Sequence, residues 1–148
     1  MSMPSRLLLL DTNIVIHLVR GSAVGEALDS RFQLRARTDR PLVSVVTLGE
    51  ALAFAQGYNW GDPRIGRLKD LIRELVAVNI DAQPVLDRYA EIATFLKTNG
   101  KSVSDNDVWI AACASAVGAT LLTTDRDFDA LVGRYLERIW VDPRNPGV

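Results

Sequence analysis

Apolar residues in this chain follow two alternating rhythms. Short, mostly apolar runs at 7–10, 42–46, 76–80, 120–123 and 139–141 lack the strict apolar/polar alternation of a half-exposed strand, so they read as strands buried on both faces. Between them lie longer stretches of helical period, at 13–20, 24–37, 47–56, 63–75, 84–98, 105–117 and 127–133. In one of these, Ile65, Leu68, Leu71, Ile72 and Leu75 make a single apolar stripe. Gly100 and Gly118 stand where helices end, and Pro63 and Pro84 where helices begin. Strands of this kind alternating with helices predict an α/β fold of three layers, α/β/α, around a mainly parallel sheet.

A chain of 148 residues, 48% hydrophobic and 24% charged, is expected to form one domain over 1–148 with a substantial core. Its apolar runs are far shorter than the roughly 20 residues that span a bilayer, and the N-terminus lacks the pattern of a cleavable signal, so a cytoplasmic protein is expected. One cysteine, Cys113, cannot form an internal disulfide and reads as a small core residue. The net charge of −1 argues against a protein that coats nucleic acid. Arginines nevertheless outnumber lysines fourteen to three, a bias suited to bidentate phosphate contacts.

Candidate chemistry lies where the two rhythms meet. The run of leucines at 7–10 stops at Asp11, and the run at 120–123 leads through Thr124 to Asp125. Glu50 falls about one turn into the helix after the 42–46 strand, and Asp107 in the first turn of a helix that is apolar almost all round. Each acid alone has a plain structural reading. Asp11 can cap a helix, Ser104 with Asp107 and Thr124 with Asp127 fit capping-box spacing, and Glu50 can face solvent. Jointly they predict a cluster, because the crevice outside the carboxyl ends of parallel strands is where such sheets bind ligands. No lysine lies near, and crowded carboxylates in a partly desolvated crevice are driven toward protonation unless a cation joins them. Oxygen donors without a His or Cys cluster favour Mg²⁺ or Mn²⁺ over Zn²⁺. The sole histidine, His17, reads as a helix-surface or packing residue.

Asp11-Thr12-Asn13 after an apolar strand, Ser44-x-x-Thr47-x-x-Glu50, Asp107-x-x-Ile110-Ala111-Ala112 and Leu122-Thr123-Thr124-Asp125 with Asp127-Phe128 together resemble the PIN-domain ribonucleases. Within them the chain is similar to the VapC-type toxins of bacterial toxin–antitoxin pairs. The four motifs occur in the family's order over nearly the whole chain. The resemblance implies a five-stranded parallel sheet with its first and fourth strands adjacent, and a metal-dependent endoribonuclease that leaves a 5′-phosphate and a 3′-hydroxyl. It also implies an RNA substrate, a cognate antitoxin and a homodimer. Carried over by residue, it makes Asp11, Glu50, Asp107 and Asp125 the metal-binding and catalytic acids. The resemblance also implies that Asn13 and Thr124 orient them or touch phosphate, with Asp105 an outer ligand or only a helix cap and Asp127 an outer support.

RNA needs contacts beyond a metal. Arg31, Arg35, Arg37 and Arg40 form a basic run that can meet phosphates, and Tyr58 and Trp60 lie in a glycine-bounded turn where they can stack on bases. A solvated helix face, or a dimer or antitoxin contact, is the alternative for these residues, and core packing is expected for Trp109. Two other functional classes fit an acidic crevice. A doubly wound phosphatase would carry a second Asp where this chain has Asn13, and a lysine at a later strand end that is missing here. A non-catalytic module could hold a basic partner peptide between the acids.

Overall fold

The computed structural model describes residues 6–147. Leu8–Leu10 form the central strand, β1, in which all three leucines are buried. Leu8 and Leu10 face one core and Leu9 the other, as the alternation of side chains along a strand requires. The strand stops at Asp11, the N-cap of helix α1 (Thr12–Arg20). Helix α2 (Ala23–Phe32) folds back on α1 through Gly25. A β-carbon there would stand 2.2 Å from the carbonyl oxygen of His17, so the two backbones can meet at this distance only because the residue is glycine.

Strand β2 (Leu42–Ser44) runs directly into helix α3 (Val45–Gly57). Helix α4 (Asp62–Glu74), strand β3 (Val76–Val78), helix α5 (Gln83–Thr98), helix α6 (Asp105–Val117), strand β4 (Thr120–Thr123) and strand β5 (Glu137–Trp140) follow. The five strands lie in the order β3-β2-β1-β4-β5 and every pairing is parallel. Helices α1 to α4 contribute to the core on one face, and α5 and α6 to the core on the other. The expected α/β/α architecture is therefore present, with β1 beside β4. Chain order reverses between those two strands, so the ends of β1 and β4 flank the switch-point crevice. None of the helices among the described residues is long and apolar enough to cross a membrane.

Several boundaries differ from those predicted by periodicity, and three of them have a local reason. The helix expected over 24–37 ends at Phe32, because Gln33 takes a left-handed conformation (φ 51) and Leu34 turns into the core. The strand expected over 42–46 ends at Ser44, whose hydroxyl accepts the Val46 amide at 3.1 Å and starts α3 early. The helix expected over 127–133 is only a 3-10 turn at Asp129–Leu131. There the Asp127 amide donates to the Asp125 carboxylate at 2.9 Å, so Thr124 caps nothing. The stripe on α4 belongs to the core: Leu68, Leu71 and Leu75 are buried, and Ile65 and Ile72 pack against them. Trp109 is half-buried, with its ring stacked on Tyr89 at 3.8 Å between centroids.

Candidate functional site

Four elements carry the four acids to the carboxyl edge of the sheet. Asp11 follows β1, Asp125 follows β4, Glu50 lies in the second turn of α3 and Asp107 in the first turn of α6. All four line one cleft of about 340 Å³, together with Thr12, Asn13, Ile16, His17, Arg20 and Phe54.

Asp11 is the innermost of them, 4% exposed. One carboxylate oxygen accepts the Thr12 amide at 2.8 Å, and the other accepts the Thr123 hydroxyl at 2.7 Å and the Asn13 side-chain amide at 3.1 Å. Burial raises its pKa. The Thr123 and Thr12 hydrogen bonds oppose that rise, and the charges of Asp125 and Glu50 add to it. Thr123 also accepts the Asp125 amide at 2.9 Å, so one hydroxyl ties the two strand-end acids together. The Asn13 side-chain oxygen accepts the Thr124 amide at 3.2 Å and links α1 to the turn after β4. Thr124 thus contributes through its backbone.

Glu50 is held from two sides. One oxygen accepts the Thr12 hydroxyl at 2.6 Å and the other the Asn106 amide at 3.1 Å, while the Thr47 hydroxyl lies 3.0 Å from that of Thr12. Asp107 has its pKa pushed up to about 6, first by burial and then by the charge of Asp11, with Asp127 and Asp125 adding and the Ser104 hydrogen bond opposing. The two outer acids lie elsewhere. Asp105 is exposed at the start of α6, and its neighbour Asn106 is the residue that reaches Glu50. Asp127 is exposed beyond the cleft rim, and hydrogen bonding to Asp125 raises its pKa.

The structure also shows residues that sequence reasoning did not assign to the site. Arg20 lines the cleft, its guanidinium 5.0 Å from the centroid of the Phe54 ring, so a basic residue does stand near the acids. No ion pair joins Arg20 to the acids among the described residues. His17 lines the cleft too, 3.3 Å from the Ser22 hydroxyl, with its pKa lowered by burial and by Arg20. The signal was present in the sequence: Asn13, Ile16, His17 and Arg20 share one face of a helix at i, i+3, i+4 and i+7.

The expected RNA contacts are distributed differently. Arg37 donates to the carbonyls of Phe32 (3.2 Å), Asp39 and Arg6, and Arg40 to those of Glu74 (2.9 Å) and Arg73 (2.6 Å). Both lie at the amino edge of the sheet, across the molecule from the acids. Arg31 packs over Phe32 and donates to the Pro146 carbonyl, and Arg35 is exposed in the loop after α2. Trp60 is buried edge-on against Phe54, and Tyr58, 66% exposed, stacks on the same ring. Cys113 is buried, 3.5 Å from the Ser44 hydroxyl, as a core residue would be.

An open parallel sheet with acids gathered at its switch point defines a known class of α/β protein, and comparison narrows the class. The PIN domain profile matches residues 8–133. Ribonuclease VapC5 of Mycobacterium tuberculosis is 34% identical over 128 residues, 84% of this chain and 87% of the relative. A VapBC2 complex from Rickettsia felis bound to promoter DNA superposes with a TM-score of 0.77 at 21% identity, covering 90% of this chain and 97% of that one. VapBC-5 of M. tuberculosis, a member of the VapBC family of toxin–antitoxin systems, does so with a TM-score of 0.66 at 27% identity, covering 93% and 100%. The chain belongs to the PIN-domain family and, within it, to the VapC group.

Proposed function

We propose that this chain is a divalent-cation-dependent endoribonuclease, the toxin of a toxin–antitoxin pair. The observation that carries the reading is the convergence of Asp11, Glu50, Asp107 and Asp125, from four separate elements, on one cleft. The names of its relatives support RNA as substrate and an antitoxin as partner.

The donor set fits a hard cation: four carboxylates, with no second histidine and no exposed cysteine, match Mg²⁺ or Mn²⁺. Among the described residues no three acid, histidine or cysteine side chains stand in ligating geometry as they are. Burial and then the charge of Asp11 raise the pKa of Asp107, and a bound cation would offset both. Asp11, Glu50, Asp107 and Asp125 would hold the ion. When bound, it would lower the pKa of water and offset charge on the leaving oxygen of a phosphodiester. The chain's own part is to place the carboxylates. Thr123 and Asn13 fix Asp11, and Thr12 and Asn106 fix Glu50, so the acids hold their positions without closing on a lysine or arginine. Asn13 occupies the position at which a doubly wound phosphatase would need its second aspartate.

The test is sequencing of RNA 5′-monophosphate ends after brief induction of wild type, Asp11→Asn or Asp107→Asn in bacteria. New ends at a few defined sites, present with wild type only, are expected. Identical profiles from comparably folded proteins would sink the ribonuclease reading and favour a cleft that only holds a basic peptide.

A further inference from the structure

Beside the acid cleft, and sharing Asn13 and Asp125 with it, lies a second pocket of about 380 Å³. Its far wall is Trp140, the last residue of β5, and its rim carries Arg126 and Arg144. The indole is fixed. Trp140 pairs with Thr123 across the sheet, and its ring nitrogen donates to the Thr124 carbonyl at 3.1 Å. The guanidinium of Arg126 lies over that ring, 3.9 Å from its centroid, compared with 4.6 Å for Arg134 over Phe95.

Arg126 has acids on both sides in sequence, Asp125 and Asp127, yet among the described residues no ion pair joins it to either. It is held against the indole instead and is exposed on its outer side. Bases of single-stranded RNA stack on guanidinium planes as well as on aromatic rings, and a guanidinium set against an indole on an exposed residue is available for that.

We propose that the Arg126–Trp140 pair is a nucleotide-binding subsite for the residue next to the scissile phosphate. Its base stacks on the outer face of Arg126, and its phosphate meets the outward donors of Arg126 and Arg144. The proposal rests on the ribonuclease reading for its substrate, but the stacking pair itself, Arg126 and Trp140, includes none of the four acids. Because the pocket shares Asn13 and Asp125 with the cleft, a strand that places a phosphate at the acids brings the adjacent nucleotide to this platform. Arg144 forms a long ion pair with Asp142 at 3.7 Å, and its side chain, 92% exposed, keeps its terminal nitrogens at the rim of the pocket.

Affinity for a fluorescein-labelled single-stranded RNA, measured by anisotropy in chelator and in Ca²⁺, tests this for wild type, Arg126→Ala and Arg126→Lys. Loss of one base stack predicts weakening on the order of 10-fold or more for Arg126→Ala. Arg126→Lys, which keeps charge and loses the plane, recovers only part. In a series of oligonucleotides each lacking one base, a single abasic position removes the difference between wild type and Arg126→Ala. Equal affinities for wild type and Arg126→Ala, full recovery by lysine, or no such abasic position would overturn the subsite. So would a wild-type protein that binds no RNA. Wild type that cleaves RNA alongside an unaffected Arg126→Ala removes the subsite and keeps the nuclease. Binding lost in Arg126→Ala without any cleavage by wild type does the reverse.

Discussion

The two edges of the sheet both concentrate charge, and they use it in opposite ways. At the amino edge, Arg37 donates to the carbonyl of Phe32, the last residue of α2, and Arg40 to those of Arg73 and Glu74, the last two of α4. Terminal helix carbonyls lack intrahelical partners and carry the negative end of the helix dipole, so cations there satisfy the fold. At the carboxyl edge four carboxylates line one cleft, and the side-chain hydrogen-bond partners of Asp11 and Glu50 are neutral: Thr12, Asn13, Asn106 and Thr123. Charge that is paired stabilises the fold, whereas charge that is positioned by neutral donors and left unpaired is available to a ligand.

If the neutral donors exist to place the acids, removing one should weaken function more than stability. In Thr12→Val, Glu50 loses its 2.6 Å hydroxyl donor while α1 stays intact. Supporting residues of metal ligands typically contribute about 10- to 100-fold to affinity or activity. The variant should therefore need correspondingly more Mg²⁺ for half-maximal RNA cleavage, with thermal melting in chelator close to wild type. An unchanged Mg²⁺ requirement and rate would mean that Glu50 holds its place without help.

The amino edge should behave in the opposite sense. Arg40→Ala removes two donors from the end of α4 and should cost about 1–2 kcal/mol, seen as a lower urea midpoint, because the freed carbonyls fall back on water. Cleavage per folded molecule should not change. A tenfold fall in cleavage with stability intact would make the arginine run a substrate surface and erase the contrast between the edges.

The layers of the fold and the acids at the strand ends were legible because burial on both faces and acids at the ends of apolar runs leave one-dimensional patterns. What was not legible depends on single local bonds. Ser44 pulls the start of α3 back to Val45, and the Asp125 carboxylate takes the Asp127 amide that a helix would have used. His17 and Arg20 reach the cleft from one and two turns along α1, away from any strand end, and only their helical spacing from Asn13 marks them in the sequence. The arginines at 31–40 formed a run in sequence, but helix termini separated by some forty residues claimed two of them. A charge run does not state which carbonyls lie above it.

The unpaired edge carries a pH signature of its own. Asp107 titrates near 6 when folded against 3.8 when free, so folding raises its pKa. Below about pH 4 the carboxyl is protonated in both states and costs nothing. As pH rises toward 6 the unfolded chain ionises first, and above about 6 the folded protein bears the full penalty, about 1 kcal/mol once solvent screening is allowed for. Asp107→Asn removes the ionisation, so in chelator it should melt above wild type at pH 7.5 and the gap should close toward pH 4. Added Mg²⁺ should then raise wild type past the variant, through binding to the folded state alone, and do so less at pH 5, where protons compete for the ligands. Parallel melting curves across that range would show that Asp107 is already neutralised within the chain, and that the acid edge is as self-satisfied as the basic one.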